Sequence, residues 1–350
     1  MTKKVLIVDD SALIRQMLTS ILSGDPELEV VGAANDPLQA RQMIKDLNPD
    51  VITLDVAMPK MDGLSFLEKI MRLRPMPVVM VSSLTQKNAE VTLNALSLGA
   101  VDFVGKPTID LQRGLEGMSE ELISKVKIAA NAKVSARSSS GSGAKKIVPG
   151  PGYVSTEKIV AIGSSTGGVE ALGRVITVLP TDSPAVLITQ HMPASFTGNF
   201  AKRLDGTSSV TVTEAIDGAR ILPGHVYIAR GDVHLELARS GGNYVCKLVD
   251  SAPVSGFKPS VDVLFESVSK AAGVNAIGVI LTGMGRDGAT GLKKMRDAGA
   301  ITLGQDQATS LVYGMPKVAM NEGAVMDEVP LGKMAEKIIE ACGPRGAIRI

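Results

Sequence analysis

The first third of the chain alternates short apolar runs with amphipathic stretches. The apolar runs have the length of buried strands, and the stretches between them, such as 12–22 and 38–47, have apolar residues at helical spacing. The five predicted strands lie at 5–8, 30–33, 51–54, 78–81 and 101–104. A strand–helix alternation repeated in this way is typical of a doubly wound α/β domain, in which helices cover both faces of a five-stranded parallel sheet.

Charged or hydroxyl side chains follow four of these strands where each strand ends. They are Asp9 and Asp10, Asp55, Ser82 and Lys106. In a doubly wound sheet these strand ends converge on one crevice. Three carboxylates there repel one another unless a cation lies among them, and Mg²⁺ fits best because it also accepts waters and phosphate oxygens.

We therefore predict a Mg²⁺ site at Asp9, Asp10 and Asp55, with Asp55 central enough to accept a phosphoryl group. Lys106 would offset charge, and Ser82 would donate a hydrogen bond. The alternative is that acids at strand ends merely cap helices. Helix capping explains any single acid well, but it does not explain five polar positions in this order.

Residues 4–127 resemble a response-regulator receiver domain. The resemblance rests on the acid pair, on 55–63 (DVAMPKMDG), on Ser82, and on Lys106 followed by proline. It implies phosphorylation of Asp55 by a partner histidine kinase, with Mg²⁺ bound by Asp9 or Asp10 together with Asp55. It also implies a conformational switch, in which Ser82 and Lys106 move toward the new negative charge.

The pattern changes between 131 and 155, where serine, glycine and proline replace periodic apolar residues. We predict a flexible linker there, between a receiver domain at 1–130 and a catalytic domain at 156–350. A flexible tether would let the first domain cover a site on the second and leave it. We therefore expect regulation by occlusion.

The strand–helix alternation resumes from 158, with predicted strands at 159–162, 185–189, 276–281 and 300–303. Between about 210 and 249 the apolar residues recur at every second position instead. That period predicts antiparallel hairpins at one edge of a mainly parallel sheet. The second domain is thus also α/β.

The turn after the strand at 159–162 carries a small hydroxyl at a sheet edge. Its sequence, GSSTGG at 163–168, suits either an anion cradle or a serine nucleophile beside an oxyanion hole. It lacks both the G-x-G-x-x-G spacing and the lysine of a phosphate-binding loop. The anion cradle is therefore the less favoured interpretation. We therefore searched for the partners of a nucleophilic serine.

Three histidines limit this search. His191 follows the strand at 185–189 and should face the glycine-rich turn, whereas we interpret His225 and His234 as structural. Asp287 follows the strand at 276–281 in a glycine-rich loop, where it is either the third member of a triad or a helix N-cap. Triads are recognised by geometry, so the order serine, histidine, aspartate is no objection.

Residues 157–342 resemble the catalytic domain of the chemotaxis protein-glutamate methylesterase family, and the order receiver, linker, effector matches that family. The matching stretches are 162–168 (IGSSTGG), 190–193 (QHMP), 196–197 (FT), 258–262 (KPSVD), 281–289 (LTGMGRDGA) and 313–316 (YGMP). The resemblance implies that Ser165 is the nucleophile, His191 the general base and then acid, and Asp287 the residue that orients His191. The oxyanion and substrate would lie near Thr166 and Met284.

Two positions depart from the family pattern. Arg230 stands where proline is expected, and Gln307 stands where an acid is common. Neither falls on the triad, so we expect them to affect substrate contacts or loop shape only.

Composition limits the other function classes. The net charge is +1, which argues against a nucleic-acid partner. The two cysteines, Cys246 and Cys342, are far apart and suggest reduced thiols. The sequence has neither a signal segment nor an apolar run long enough for a membrane span, so we expect a soluble cytoplasmic protein without membrane insertion.

The family resemblance implies phosphorylation-activated hydrolysis of glutamate γ-methyl esters on methyl-accepting chemoreceptors, for chemotactic adaptation. It also implies deamidation of specific glutamines through the same acyl-enzyme. We expect no cofactor in the catalytic domain. The alternative from another class is a phosphorylation-dependent scaffold with a degenerate active site.

Overall fold

The structure is a computed structural model that describes residues 2–58, 62–83, 85–106, 114–132, 134 and 158–343. The chain folds as two compact units, Met1–Ser140 and Gly141–Ile350. The predicted linker at 131–155 lies almost wholly outside the described residues. Its bounds, and those of the two predicted domains, therefore stay predictions.

The first unit is a five-stranded parallel sheet with the strand order β2-β1-β3-β4-β5. The strands are β1 (Lys3–Val8), β2 (Leu28–Ala34), β3 (Val51–Asp55), β4 (Val78–Ser82) and β5 (Asp102–Gly105). The helices are α1 (Ala12–Ser23), α2 (Pro37–Leu47), α3 (Gly63–Leu73), α4 (Gln86–Leu98) and α5 (Gly114–Ala129). All five predicted strands are present, so the doubly wound fold is confirmed.

The strand order of this sheet reverses between β1 and β3, which pair directly. In that register Val8 lies beside Leu54, so the residues that follow, Asp9 and Asp55, come together. A reversal of this kind opens a crevice at the carboxyl ends of the strands. The acid cluster thus lies where α/β sheets bind ligands.

The second unit contains a seven-stranded parallel sheet with the order β14-β13-β12-β6-β7-β9-β8. Its strands are β6 (Ile159–Ser164), β7 (Ala185–Gln190), β8 (Thr211–Glu214), β9 (His225–Ile228), β12 (Ala276–Ile280), β13 (Ile301–Gln305) and β14 (Asp327–Val329). The helices are α6 (Gly168–Ile176), α7 (Ala194–Asp205), α8 (Val261–Ala271), α9 (Ala289–Asp297), α10 (Met315–Asn321) and α11 (Leu331–Cys342), with a 3₁₀ turn at Gly273–Asn275.

The antiparallel pair, β10 (His234–Ser240) and β11 (Asn243–Val249), forms a separate two-stranded sheet. We expected it at the edge of the main sheet, but β9 and β8 occupy that edge and are parallel. The pair packs on helix α8: Leu235 and Leu237 are buried in the same core cluster as Phe265, and the Leu237 N–H donates to Ser267 Oγ at 2.9 Å. A period of two shows that one face is buried, but not which element buries it.

Three adjacent strands, β12, β6 and β7, form the centre of the large sheet. Their carboxyl ends lead into the segments that carry Asp287, Ser165 and His191. Helix α8 packs very closely on β6, since a Cβ placed on Gly163 would lie 2.1 Å from Val261 Cγ1. Among the described residues, none of the helices has the length and apolar character needed to cross a bilayer.

Candidate active site

Ser165 lies in a tight turn between β6 and α6. Gly167 in this turn has a φ of 79°, a left-handed conformation that favours glycine. A Cβ on Gly168 would lie 1.9 Å from Gln190 Oε1, so this position also has no room for a side chain. The Ser165 N–H donates to Thr282 O at 3.0 Å, which ties the turn to the end of β12.

His191 follows β7 and faces Ser165. Strand pairing places Ser164 beside Gln190, and the His191 N–H donates to Ser164 O at 3.2 Å. As a result, His191 Nδ1 lies 3.1 Å from Ser165 Oγ. The two side chains that the sequence places at neighbouring strand ends are therefore within hydrogen-bonding distance.

Asp287 is fully buried on the other side of the imidazole. Its Oδ2 lies 2.8 Å from His191 Nε2. Its carboxylate also accepts the Ser260 Oγ–H at 2.8 Å and the backbone N–H groups of Val261 at 2.7 Å and Asp262 at 3.1 Å. The last two donors are the first N–H groups of helix α8, whose partial positive charge stabilises a carboxylate.

These donors determine the charge of Asp287. Burial acts to raise its pKa, but the hydrogen bonds from His191, Val261 and Ser260 together hold the pKa below its usual value. An ionised Asp287 accepts a hydrogen bond from His191 Nε2–H. This tautomer leaves the Nδ1 lone pair directed at the Ser165 hydroxyl, as a general base requires.

The two imidazole nitrogens exchange places relative to the familiar serine triad. In that arrangement Nε2 faces the serine and Nδ1 faces the acid. Here Nδ1 faces Ser165 and Nε2 faces Asp287. The proton path is equivalent, because each nitrogen can accept or donate according to the tautomer.

Three residues for which the sequence analysis predicted no catalytic role form hydrogen bonds around the triad: Gln190, His234 and Ser260. Gln190 is buried, accepts from Ser164 Oγ at 2.7 Å and donates from Nε2 to Ser165 O at 3.0 Å. His234, which we interpreted as structural, is also buried; its Nδ1 accepts the Ser260 N–H at 3.1 Å, and its Nε2 donates to Ala252 O. Ser260 and Gln190 both lie in matched family stretches, which was the available signal.

The predicted oxyanion region adjoins the serine. Thr166 follows it and is buried, and its carbonyl accepts from Thr282 Oγ at 3.0 Å. A Cβ on Gly283 would lie 2.8 Å from Ser165 Cβ, so the loop that carries Met284 packs closely against Ser165. The roles of Thr166 and Met284 in binding the oxyanion stay predictions.

The acid cluster of the first unit is compact. One carboxylate oxygen from each of Asp9, Asp10 and Asp55 lies within 4.8 Å of the other two. Lys106 Nζ lies 2.9 Å from Asp9 Oδ2 and 2.8 Å from Asp55 Oδ2. Ser82 does not join this cluster: its Oγ accepts from Thr92 Oγ at 3.0 Å and donates to Ser83 O at 3.3 Å.

Electrostatics in this cluster favour an added cation. Burial, with the neighbouring charge of Asp9, raises the pKa of Asp55 above its usual value although Lys106 opposes the shift. Burial acts to lower the pKa of Lys106, but its ion pairs with both acids raise it overall. Carboxylate oxygens are the hard ligands that Mg²⁺ prefers, so Asp9, Asp10 and Asp55 fit this ion.

The two departures from the family pattern are exposed residues. Arg230 is exposed, and its Nε lies 3.3 Å from Asp232 Oδ1. Gln307 is exposed in the turn at 307–309. Neither contacts the triad through a described hydrogen bond or ion pair.

Both units match families of known proteins. The sequence model of the family described as CheB methylesterase matches residues 160–338, and that of the response regulator receiver domain matches residues 5–116. A protein-glutamate methylesterase/protein-glutamine glutaminase of Bordetella bronchiseptica is 56% identical over 98% of both chains. One of Xanthomonas campestris pv. campestris is 57% identical over 96% of both chains.

A solved structure agrees with the second unit. The crystal structure of the Thermotoga maritima CheB methylesterase catalytic domain is 41% identical, with a TM-score of 0.52. The alignment covers 53% of this chain and 98% of that one.

Proposed function

This chain belongs to the CheB methylesterase family and carries a response regulator receiver domain, and from that premise we propose a serine-hydrolase mechanism under phosphorylation control. Relatives 55–57% identical over nearly the whole chain identify it as a protein-glutamate methylesterase and protein-glutamine glutaminase. The finer proposal concerns which residues act and on what. Its substrates would be glutamate γ-methyl esters and specific glutamines of chemoreceptors, in chemotactic adaptation.

The continuous hydrogen-bonded path from Ser165 Oγ through His191 to Asp287 carries the mechanistic proposal. Ser165 Oγ attacks the ester carbonyl while His191 Nδ1 takes its proton. Asp287 stays ionised and stabilises the imidazolium that forms. His191 then returns the proton to the leaving methoxide, so methanol departs and a glutamyl ester of Ser165 remains.

Water completes the reaction in the same site. His191 takes a proton from the water, which attacks the acyl carbonyl, and then returns the proton to Ser165 Oγ. A glutamine substrate passes through the same acyl-enzyme, with ammonia as the leaving group. Donors near Thr166 and Met284 would stabilise the oxyanion of both tetrahedral intermediates.

Asp55 would be the phosphoryl acceptor of the receiver unit. Its buried carboxylate lies beside Lys106, which would offset the charge of the added phosphoryl group. Mg²⁺ held by Asp9, Asp10 and Asp55 would supply positive charge for the incoming phosphate oxygens. A chemotaxis histidine kinase would be the phosphodonor, and the cytoplasm is the compartment that we propose.

A covalent intermediate tests the chemistry. The protein would be mixed with a methylated chemoreceptor fragment, quenched in acid within the first turnover, digested and mapped by mass spectrometry. We expect the fragment to be attached to the peptide that contains Ser165, and the adduct to be absent from Ser165→Ala. A fragment that binds without any acid-stable adduct, while no methanol is released, would instead support the scaffold alternative.

A further inference from the structure

The aromatic ring of Phe257 covers one face of the His191 imidazole. The ring centroids are 3.8 Å apart and the planes differ by 7°, a parallel stack. Both nitrogens of His191 are engaged at the ring edges, by Ser165 and Asp287. Phe257 is therefore a contact of the general base that the catalytic motif does not include.

A tight turn at 254–257 fixes the position of Phe257. The Val254 N–H donates to Phe257 O at 3.0 Å, and the Phe257 N–H donates to Val254 O at 2.9 Å. Between them Ser255 and Gly256 have φ values of 54° and 82°. Two consecutive left-handed residues between paired ends are typical of a type I′ turn. The aromatic side chain is thus presented by a defined turn.

The same segment also holds the acid of the triad. Only a few residues after Phe257, Ser260 and Val261 donate to the Asp287 carboxylate. Asp262 Oδ2 lies 3.5 Å from Ser255 Oγ, which connects the start of helix α8 back to the turn. One stretch of chain, 254–262, therefore contacts His191 through its face and Asp287 through its donors.

The two hydrogen bonds leave one motion of the imidazole free. Hydrogen bonds at Nδ1 and Nε2 tolerate a range of angles, so small rotations about the Cα–Cβ and Cβ–Cγ bonds can still tilt the ring plane. A stacked aromatic ring blocks this tilt, and its negatively polarised face also favours the positive charge that His191 carries during the reaction. Stacking therefore aligns the lone pair with the Ser165 hydroxyl.

We propose that Phe257 is a positioning residue of the methylesterase reaction, which holds the plane of His191 by stacking on it. The inference rests on the proposed roles of Ser165 and His191. Its effect would be in the rate of the chemical step, because Phe257 acts on the base and not on the bound ester.

A fluorophosphonate probe tests this without a receptor. In the labelling step, Ser165 Oγ forms a bond to phosphorus, fluoride leaves, and the hydroxyl proton passes to His191. The saturating rate constant and the half-saturating probe concentration would be measured for the full chain. Phe257→Leu keeps an apolar side chain but loses the aromatic face, Phe257→Tyr keeps that face, and Val254→Ala is the control in the same turn.

We expect Phe257→Leu to lower the saturating rate about tenfold, with the half-saturating concentration within about twofold of wild type. Phe257→Tyr should restore the rate, and Val254→Ala should leave it unchanged. An unchanged rate in Phe257→Leu would overturn the inference. So would a higher half-saturating concentration alone, since that result assigns Phe257 to probe binding.

Proton NMR separates this inference from the proposed chemistry. A stacked phenyl ring shields the carbon-bound protons of His191, so their signals should move downfield in Phe257→Leu and return in Phe257→Tyr. The chain has only three histidines, and a His191→Gln variant assigns the signals. If wild type labels no faster than Ser165→Ala, the serine-hydrolase proposal fails; unchanged His191 signals in Phe257→Leu overturn the positioning role in either case.

Discussion

Asp287 carries a charge in a place where water cannot reach it. Four donors compensate for the lost water: His191 Nε2, Ser260 Oγ and the first two N–H groups of helix α8. A buried charge is stable only when it has such partners, so removing one of them makes the ionised form of Asp287 less stable. We therefore expect the orientation of His191 to depend on the groups that hold Asp287 in place.

Ser260→Ala removes one of these donors. We expect kcat to fall about fivefold, since one hydrogen bond to a charged group is lost while the other donors remain. Methanol release from a methylated chemoreceptor fragment measures this effect. Ser269→Ala is the matched control, because its hydroxyl donates to Glu266 O at 2.8 Å within the same helix. Equal rates for Ser260→Ala and Ser269→Ala would contradict the positioning of Asp287 by Ser260.

Asp262 introduces a pH dependence into the same cluster. Burial, together with the neighbouring charge of Asp287, raises the pKa of Asp262 to about 6. The folded protein therefore binds this proton more tightly than the unfolded chain does. The stability it contributes is complete below the usual value of 3.8 and is lost as the pH rises through about 6.

Asp262→Asn should remove this part of the pH dependence. Its amide oxygen can still accept the Gly291 N–H, which Asp262 Oδ1 accepts at 2.6 Å. Urea unfolding across the range from 3.8 to 6 should then show a free energy of unfolding that falls less steeply with pH than in wild type. A steeper fall in the variant would show that the sign is wrong.

At the scale of elements, helix α8 has two roles. It packs against β6 closely enough that Gly163 has no room for a side chain, and it presents its N-terminus to Asp287. Any shift of α8 away from β6 therefore also moves the donors of the triad. We therefore expect packing and catalysis to be coupled through the position of this helix.

Gly163→Ala tests this coupling. The new Cβ would lie 2.1 Å from Val261 Cγ1, so we expect a loss of about 1–3 kcal/mol in the free energy of unfolding, together with a lower kcat. The double variant with Val261→Ala should recover part of both. Gly173→Ala, in helix α6, has no atom within 4 Å of its Cβ and should gain about 0.5–1 kcal/mol. If Gly163→Ala lowers the free energy of unfolding but keeps the wild-type kcat, the expected coupling between packing and catalysis is wrong.

Elements and strand ends were predictable from the sequence, whereas contacts between distant segments were not. Ser165, His191 and Asp287 each follow an apolar run, so their common sheet edge follows from the parallel topology. The contact of Phe257 with His191 was not predicted, because stacking depends on the path of a loop that the sequence pattern does not define. The β10–β11 pair was predicted at an edge of the main sheet but forms a separate sheet, because alternation does not identify the element that a strand packs against.

At the scale of the whole molecule, the proposed phosphorylation and the proposed ester hydrolysis belong to different compact units. The acid cluster with Lys106 lies in the first unit, and the Ser165 site lies in the second. We expect the proposed phosphorylation, but not the proposed hydrolysis, to depend on a metal ion. The proposed hydrolysis uses only side chains of the second unit, whereas the proposed phosphorylation uses Mg²⁺ at Asp9, Asp10 and Asp55.

Metal removal with EDTA should therefore abolish the response to a small-molecule phosphodonor and leave basal methanol release unchanged. Excess Mg²⁺ should restore the response. Basal release that disappears with EDTA and returns with Mg²⁺ would instead assign the metal to the hydrolytic step.

Methanol release from a methylated chemoreceptor fragment, measured with Mg²⁺ and with or without phosphodonor, tests the central claim most directly. We expect wild type to release methanol faster with phosphodonor, Asp55→Asn to keep the basal rate without this response, and Ser165→Ala to release none in either state. Release from a folded Ser165→Ala, or a phosphodonor response that persists in Asp55→Asn, would contradict the claim that Asp55 controls hydrolysis at Ser165.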